Sequence, residues 1–260
     1  MNIRFLGAHN SEAKDVRPAC LLIDNILAVD AGGLTSSLTF SEQLAIEALL
    51  ITHHHYDHIK DIPMMGMTFY VNHTKINIYS IQPVYEALQY LFKYPGKFYT
   101  NFLEHPKDNA TIQFTPVTPL QPFSIKNYQI LAVPMKHSVP SVGYLITSPE
   151  SGKSFFYTGD TGNGLEDCWQ HISPDLLVIE VTAADIFANH AKEVRHLTPA
   201  LLKEELVTFR KIKGYLPKVI TVHMFPQNPE KEQIDAELKK ASAELHTPIT
   251  PGYEGMQITL

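Results

Sequence analysis

The stretch LLITHHHYDHIKDI (49–62) places four histidines and one aspartate within six consecutive positions, 53 to 58. Written as His53-x-His55-x-Asp57-His58, it offers imidazole nitrogens and a carboxylate, the donor set that suits zinc or another borderline first-row ion. If the chain there is extended, alternate side chains project to the same side, and His53 and His55 can chelate together. Asp57 and His58 follow once the chain turns and can address a second ion close by. His54 and Tyr56 interleave the ligands, are expected to point away, and are given no metal role.

One loop cannot furnish two ions with ligands. Three further candidates stand at the ends of predicted strands: His137 in MKHSVPS, Asp160 in YTGDTG and His223 in ITVHMF. A lone histidine at a strand end is more often a solvent-exposed or hydrogen-bonded side chain. Four such loops at one sheet edge shift that balance, because ligands at strand exits are held by rigid elements and still face solvent.

The H-x-H-x-D-H element after an apolar strand resembles the signature of the metallo-β-lactamase superfamily. The resemblance runs from FLGAHNS, CLLID and LAVDAGG through the final strand. It implies an α/β fold of the αββα sandwich type, two mixed β-sheets flanked by helices. It also implies that His53, His55 and His137 bind one metal, that Asp57, His58 and His223 bind the other, and that Asp160 bridges them. Asp30, in VDAGG, matches a family position beside the site. Zinc is the expected metal, with manganese or iron as alternatives.

Two divalent ions about 3.5–4 Å apart lower the pKa of a bridging water and make hydroxide at neutral pH, which suits a phosphodiester, a lactam, a lactone or a thioester. Three features point to the phosphodiester. His196, in EVRHLTPALL, resembles a histidine of the superfamily's phosphodiesterase branch, which includes tRNase Z and the class II cyclic-nucleotide phosphodiesterases; an imidazolium there can protonate a leaving alkoxide. DLLVIEVT resembles a His-Glu-Ala-Thr element of that branch: Glu180 matches the glutamate and could orient His196, while Ile179 replaces the histidine. HSVPSVGYLI and YTGDTG also look more like phosphodiesterases than lactamases, which usually place cysteine or serine at the bridging position. An iron oxidoreductase branch usually carries glutamate where His55 stands, and a non-enzymatic scaffold usually shows eroded ligands.

The elements that must position these groups can be read in outline. Strands are expected at 2–7, on both sides of a turn at Asp24-Asn25 within 19–32, at 48–52, in pieces at 67–71 and 75–79, on both sides of His137, before Asp160, at 175–182, before His223 and at the end of the chain. Helices are expected after Gly32-Gly33 or within 42–48, at 82–94 and after Pro229. Another is expected over 198–212, with Thr198 as N-cap and Pro199 in the first turn. A single domain, 1–260, is expected to carry an insert around 64–128. The insert is rich in aromatics (Phe69, Tyr70, Tyr79, Tyr85, Tyr90, Phe92, Tyr94, Phe98, Tyr99, Phe102) that could form core, a homodimer contact or a stacking surface for a base.

The 260 residues are 44% hydrophobic and 18% charged, enough for one large core. With a net charge of -6 and no run of five Lys or Arg, the chain lacks the basic arm that grips tRNA phosphates, so a small phosphodiester is favoured over nucleic acid. No 18-residue apolar run and no signal-like h-region stand in the sequence, so a cytoplasmic protein off the membrane is expected. Cys20 and Cys168 are expected as reduced core thiols.

Overall fold

Asp24 and Asn25 both take positive φ, 46° and 61°, a conformation Asp and Asn adopt at less cost than other residues with a side chain. The tight turn they make folds one expected strand back on the next, and the architecture grows from that hairpin. The structure is a computed structural model that describes residues 1–93 and 100–260.

The first half of the chain runs β1 (Asn2–Gly7), β2 (Cys20–Ile23), β3 (Leu27–Val29), α1 (Leu34–Ser37), α2 (Phe40–Leu44), β4 (Ala48–Leu50), α3 (Tyr56–Ile59), α4 (Ile62–Val71), β5 (Ile76–Ser80), α5 (Gln82–Lys93) and β6 (Ile112–Pro116). The second half runs β7 (Phe123–Ile125), β8 (Tyr128–Pro134), β9 (Val142–Thr147), β10 (Ser154–Tyr157), α6 (Glu166–His171), β11 (Leu176–Glu180), α7 (Ala188–Val194), α8 (Pro199–Lys213), β12 (Lys218–Val222), α9 (Glu230–Leu245) and β13 (Ile249–Pro251). A last strand, β14 (Gln257–Thr259), crosses back to pair with β1.

Among the described residues these strands form two seven-stranded sheets, ordered β14-β1-β2-β3-β4-β5-β6 and β13-β12-β11-β10-β9-β8-β7. Both are mixed: β1 to β3 and β7 to β10 pair antiparallel, β3 to β6 and β10 to β13 parallel. Strand β11 shows the layering. Leu176 and Val178 join the core between the sheets, while Leu177 and Ile179 pack with Trp169, Leu202, Leu206 and Phe209 under the outer helices. A strand covered on both faces is apolar throughout. The αββα sandwich expected from the resemblance is the fold observed, and no helix among the described residues is long and apolar enough to cross a membrane.

The helix over 198–212 forms as expected. The Thr198 side chain accepts from the Leu201 amide, and Pro199 stands in the first turn. Both alternatives after the glycines occur, as the short α1 and α2. Residues 67–71 are a correction: they are helical, within α4. Their β-branched and aromatic types favour a strand locally, but tertiary packing overrides that preference. Gly66 lets the Phe102 ring lie on the helix backbone, where an added Cβ would come within 2.4 Å of Phe102 Cδ2.

The stretch 64–128 supplies most of α4, then β5 and β6 of the first sheet with α5 between them in sequence, and β7 of the second. Parallel neighbours such as β4, β5 and β6 need long crossovers. Phe69, Phe92 and Phe102 are core. Tyr94, Phe98 and Tyr99 lie outside the described residues.

Candidate metal centre

Strand β4 ends at Leu50 and delivers Thr52 and His53 into the interior, where both are fully buried. Asp30, just past β3, receives them. Its φ of 58° turns the carboxylate inward, and the carboxylate accepts from Thr52 N (2.9 Å), Thr52 Oγ1 (3.0 Å), the Tyr157 hydroxyl (3.0 Å) and His58 Nδ1 (2.7 Å). Because Thr52 Oγ1 spends its proton on Asp30, it accepts from His53 Nδ1 at 3.0 Å. His137 Nδ1 donates to the Arg195 carbonyl at 3.2 Å, and His223 Nδ1 donates to Thr182 Oγ1 at 2.9 Å. Each ring is thus held in the tautomer that leaves Nε2 as a lone pair, the arrangement metal-binding imidazoles need.

Those lone pairs converge. His55 Nδ1 and His137 Nε2 are 3.1 Å apart. His53 Nε2 and His137 Nε2 lie 3.7 and 3.9 Å from Asp160 Oδ2. His58 Nε2 is 3.2 Å from Asp160 Oδ1 and 3.5 Å from Asp57 Oδ2. His223 Nε2 is 3.1 Å from Asp57 Oδ2 and 3.3 Å from Asp160 Oδ2. Ligands on one tetrahedral zinc stand about 3.3 Å from each other, given bonds near 2.0–2.1 Å. Two sets of four, His53, His55, His137 and Asp160 in one and Asp57, His58, Asp160 and His223 in the other, with Asp160 shared, each keep their ligand atoms within 4.8 Å of one another, somewhat wider than that spacing, and Glu180, His196 and His223 form a third such group.

The donors fit a pair of cations. His53 Nε2, His58 Nε2 and Asp160 Oδ1 are buried without a hydrogen-bond partner, a costly condition that an ion relieves. Burial, aided by the imidazoles around it, pushes His53 well below the usual imidazole range; the same causes bring His55 to about 4 and lower His137. The shifts favour the neutral imidazole, the form in which a histidine can bind a metal. In the second set burial also opposes charge but loses. The carboxylates of Asp160, Asp30 and Asp57 raise His58 well above its ordinary value. His58 and His223 bring Asp57 down to about 2. The same concentration of carboxylates that favours positive charge on His58 would favour a divalent ion there.

All seven expected ligands are therefore brought together, and His54 and Tyr56 belong to neither set, Tyr56 being 68% exposed. His196 and Glu180 stand beside the second set. His196 Nδ1 donates to Glu180 Oε1 at 2.6 Å, and its ring stacks on His223 with centroids 5.4 Å apart. Burial opposes protonation of His196, but the Glu180 carboxylate outweighs it and raises the group to about 9. Glu180 also accepts from Thr161 N, Leu197 N and Thr182 Oγ1.

Thr52, Thr182 and Arg195 were missed in sequence. Thr182 shares a strand-like i, i+2 relation with Glu180, which is the signal that could have found it. Thr52 adjoins the first ligand. Arg195 carries no sequence signal. Isolated His9 is buried against Glu254, with Nδ1 2.8 Å from Oε1.

A family of β-lactamase superfamily domains matches residues 23–224. No curated protein matches the chain. Three solved structures share the fold over nearly the whole of both chains. Unliganded yeast PDE1 has a TM-score of 0.82 at 15% identity, covering 100% of this chain and 99% of that one. The metallo-β-lactamase fold protein YhfI from Bacillus subtilis has a TM-score of 0.75 at 17% identity, covering 99% and 98%. The short form of human tRNase Z has a TM-score of 0.67 at 18% identity, covering 100% and 99%. The expected single sheet edge is a correction: the cluster joins the loop after β4 of the first sheet to loops after β8, β10 and β12 of the second. With residues 23–224 matched, the chain belongs to the metallo-β-lactamase superfamily.

Proposed function

We propose that this protein hydrolyses a small phosphodiester, with a cyclic nucleotide as the leading candidate, using two divalent ions, zinc first among them. His53, His55, His137 and Asp160 would hold one ion; Asp57, His58, His223 and Asp160 would hold the other. Bound there, such ions supply Lewis acidity toward a phosphoryl oxygen and activate water.

The observation that carries the phosphodiester reading is the His196–Glu180 pair, 2.6 Å apart at the edge of the second ligand set. An alkoxide leaving group needs a proton at neutral pH, and an imidazolium stabilised by a buried carboxylate can give one. With Nδ1 committed to Glu180, the donated proton is the one on Nε2. Thr182 ties the acid to the ligands: its hydroxyl donates to Glu180 Oε2 (2.7 Å) and accepts from His223 Nδ1 (2.9 Å). The exposed Tyr56 ring, between two ligands in sequence, offers a face on which a base can stack. Fold likeness to yeast PDE1 and human tRNase Z agrees with this reading. Two unpaired, buried thiols agree with a reducing, cytoplasmic setting.

The test is a panel of bis-p-nitrophenyl phosphate, cyclic AMP, cyclic GMP, a precursor tRNA and a chromogenic lactam. Turnover of the first and of a cyclic nucleotide, lost on chelation and restored by zinc or manganese, is expected. Activity on the lactam alone would end the proposal, and cleavage of the tRNA well ahead of the nucleotides would favour an endonuclease.

A further inference from the structure

We infer that Arg195 is a positioning residue that locks metal ligand His137 to the segment carrying His196. The inference rests on the metal reading above and concerns how one ligand is held.

Helix α7 ends at Val194, and Arg195 caps it in the left-handed region, φ 61° and ψ 57°. That position usually belongs to glycine, and a side chain there is under strain. The strain comes with two bonds. The Arg195 guanidinium Nη1 donates to the His137 carbonyl at 2.6 Å. The Arg195 carbonyl accepts from His137 Nδ1 at 3.2 Å. One residue therefore grips both the backbone and the ring of His137, and fixes the tautomer that presents Nε2 to His55 and Asp160.

Two neighbours close the clasp. Gly162, two residues past Asp160, lies against Arg195, where an added Cβ would come within 3.1 Å of its Cα. Its amide donates to the Lys136 carbonyl at 2.6 Å. The next residue, His196, is fixed by its own amide, which donates to Ala191 O at 2.8 Å. The His137 and His196 rings meet at a centroid distance of 5.1 Å. Any residue could offer the backbone carbonyl; only a long cation can reach back to the His137 carbonyl as well.

R195G separates these contributions. Glycine accepts the left-handed backbone, keeps the carbonyl and deletes the guanidinium. Zinc affinity of the full chain is measured by chelator competition, beside thermal melting of the metal-free protein. Wild type is expected to bind two ions. R195G is expected to hold one of them about 10–100-fold more weakly, the range found when groups supporting metal ligands are removed. Its metal-free melting temperature should stay within about 2 °C of wild type, since surface bonds contribute little to stability. R195K keeps the charge without the planar fork, and should fall between the two; it carries the test alone should R195G not fold. Wild-type affinity for both ions in R195G, or in R195K where R195G does not fold, overturns the inference. So does a loss of affinity that only tracks a lower metal-free melting temperature. A wild-type chain that takes up no zinc overturns the metal reading itself, and this inference with it.

Discussion

Glu180 and Glu205 are both buried carboxylates, 0% and 4% exposed, and both are saturated with donors. Glu205, on α8, accepts from Gly164 N (2.6 Å), Leu165 N (3.2 Å) and Trp169 Nε1 (3.0 Å), and so caps the start of α6 from a neighbouring helix. Burial raises its pKa although those bonds oppose the shift. Glu180, at the end of β11, accepts from two amides, a hydroxyl and an imidazole. What separates them is the last partner. A carboxylate whose donors are amides and an indole holds structure together. One whose donor is a titratable ring beside a ligand cluster can also hold a proton ready. Burial and bonding alone do not separate the glutamate proposed to hold a catalytic proton from one that only holds structure.

The largest expected effect tests whether chemistry resides on Glu180's side of the molecule. Asp57 is 30% exposed at its side chain and faces His58 and His223. D57A should abolish turnover of bis-p-nitrophenyl phosphate while the chelated protein melts within about 2 °C of wild type. Retained turnover would leave Glu180 beside an inert cluster and erase the contrast with Glu205.

Next comes the acid itself. H196A should slow esters with poor leaving groups by about 10²–10⁴, and p-nitrophenyl esters much less, because an activated leaving group departs without a proton. Equal losses on both would make His196 a structural partner of Glu180, as Trp169 is of Glu205.

E205Q probes the other half. The amide must turn an N–H toward one of three donors that now meet an acceptor, at a cost of about 2–4 kcal/mol. For a chain of this length that lowers the melting temperature by about 5–12 °C. Turnover per folded molecule should not change. A large loss of turnover by fully folded E205Q would place Glu205 in the machinery.

The two glutamates also differ in how readable they were. Glu180 was named as a partner of His196 because it sits at a strand end in a recognisable segment. Glu205 lies inside a helix, where spacing gives no hint that it reaches Gly164, 41 positions earlier. The candidate ligands His53, His55, Asp57 and His58 were legible as a cluster because they are local to one loop. His137, Asp160 and His223 were legible because each follows a strand that a short apolar run reveals. Arg195 and Thr52 act through contacts that only the folded chain creates, and neither residue type announces them. The same holds for secondary structure. MTFYV (67–71) carries strand-like residues, yet it is helical, in a helix that Phe102, more than thirty positions away, packs against at Gly66.

The smallest effect concerns pH. His196, raised to about 9 from an ordinary 6.5, favours folding in its protonated form. Its contribution is therefore complete below about pH 6.5 and is lost as pH climbs through about 9. A shift of that size corresponds to at most about 3 kcal/mol, and screening at a ring 16% exposed brings it toward about 1 kcal/mol. Urea unfolding of the chelated protein, wild type against H196A at about pH 6, 7.5 and 9.5, should show a stability difference that shrinks as pH rises. The donors to Glu205 are amides and an indole, with no proton to lose in that window, so the difference between wild type and E205Q should stay level. A level difference for H196A as well would mean that Glu180 holds a neutral ring. The proton that the proposed reaction needs would then have to come from elsewhere.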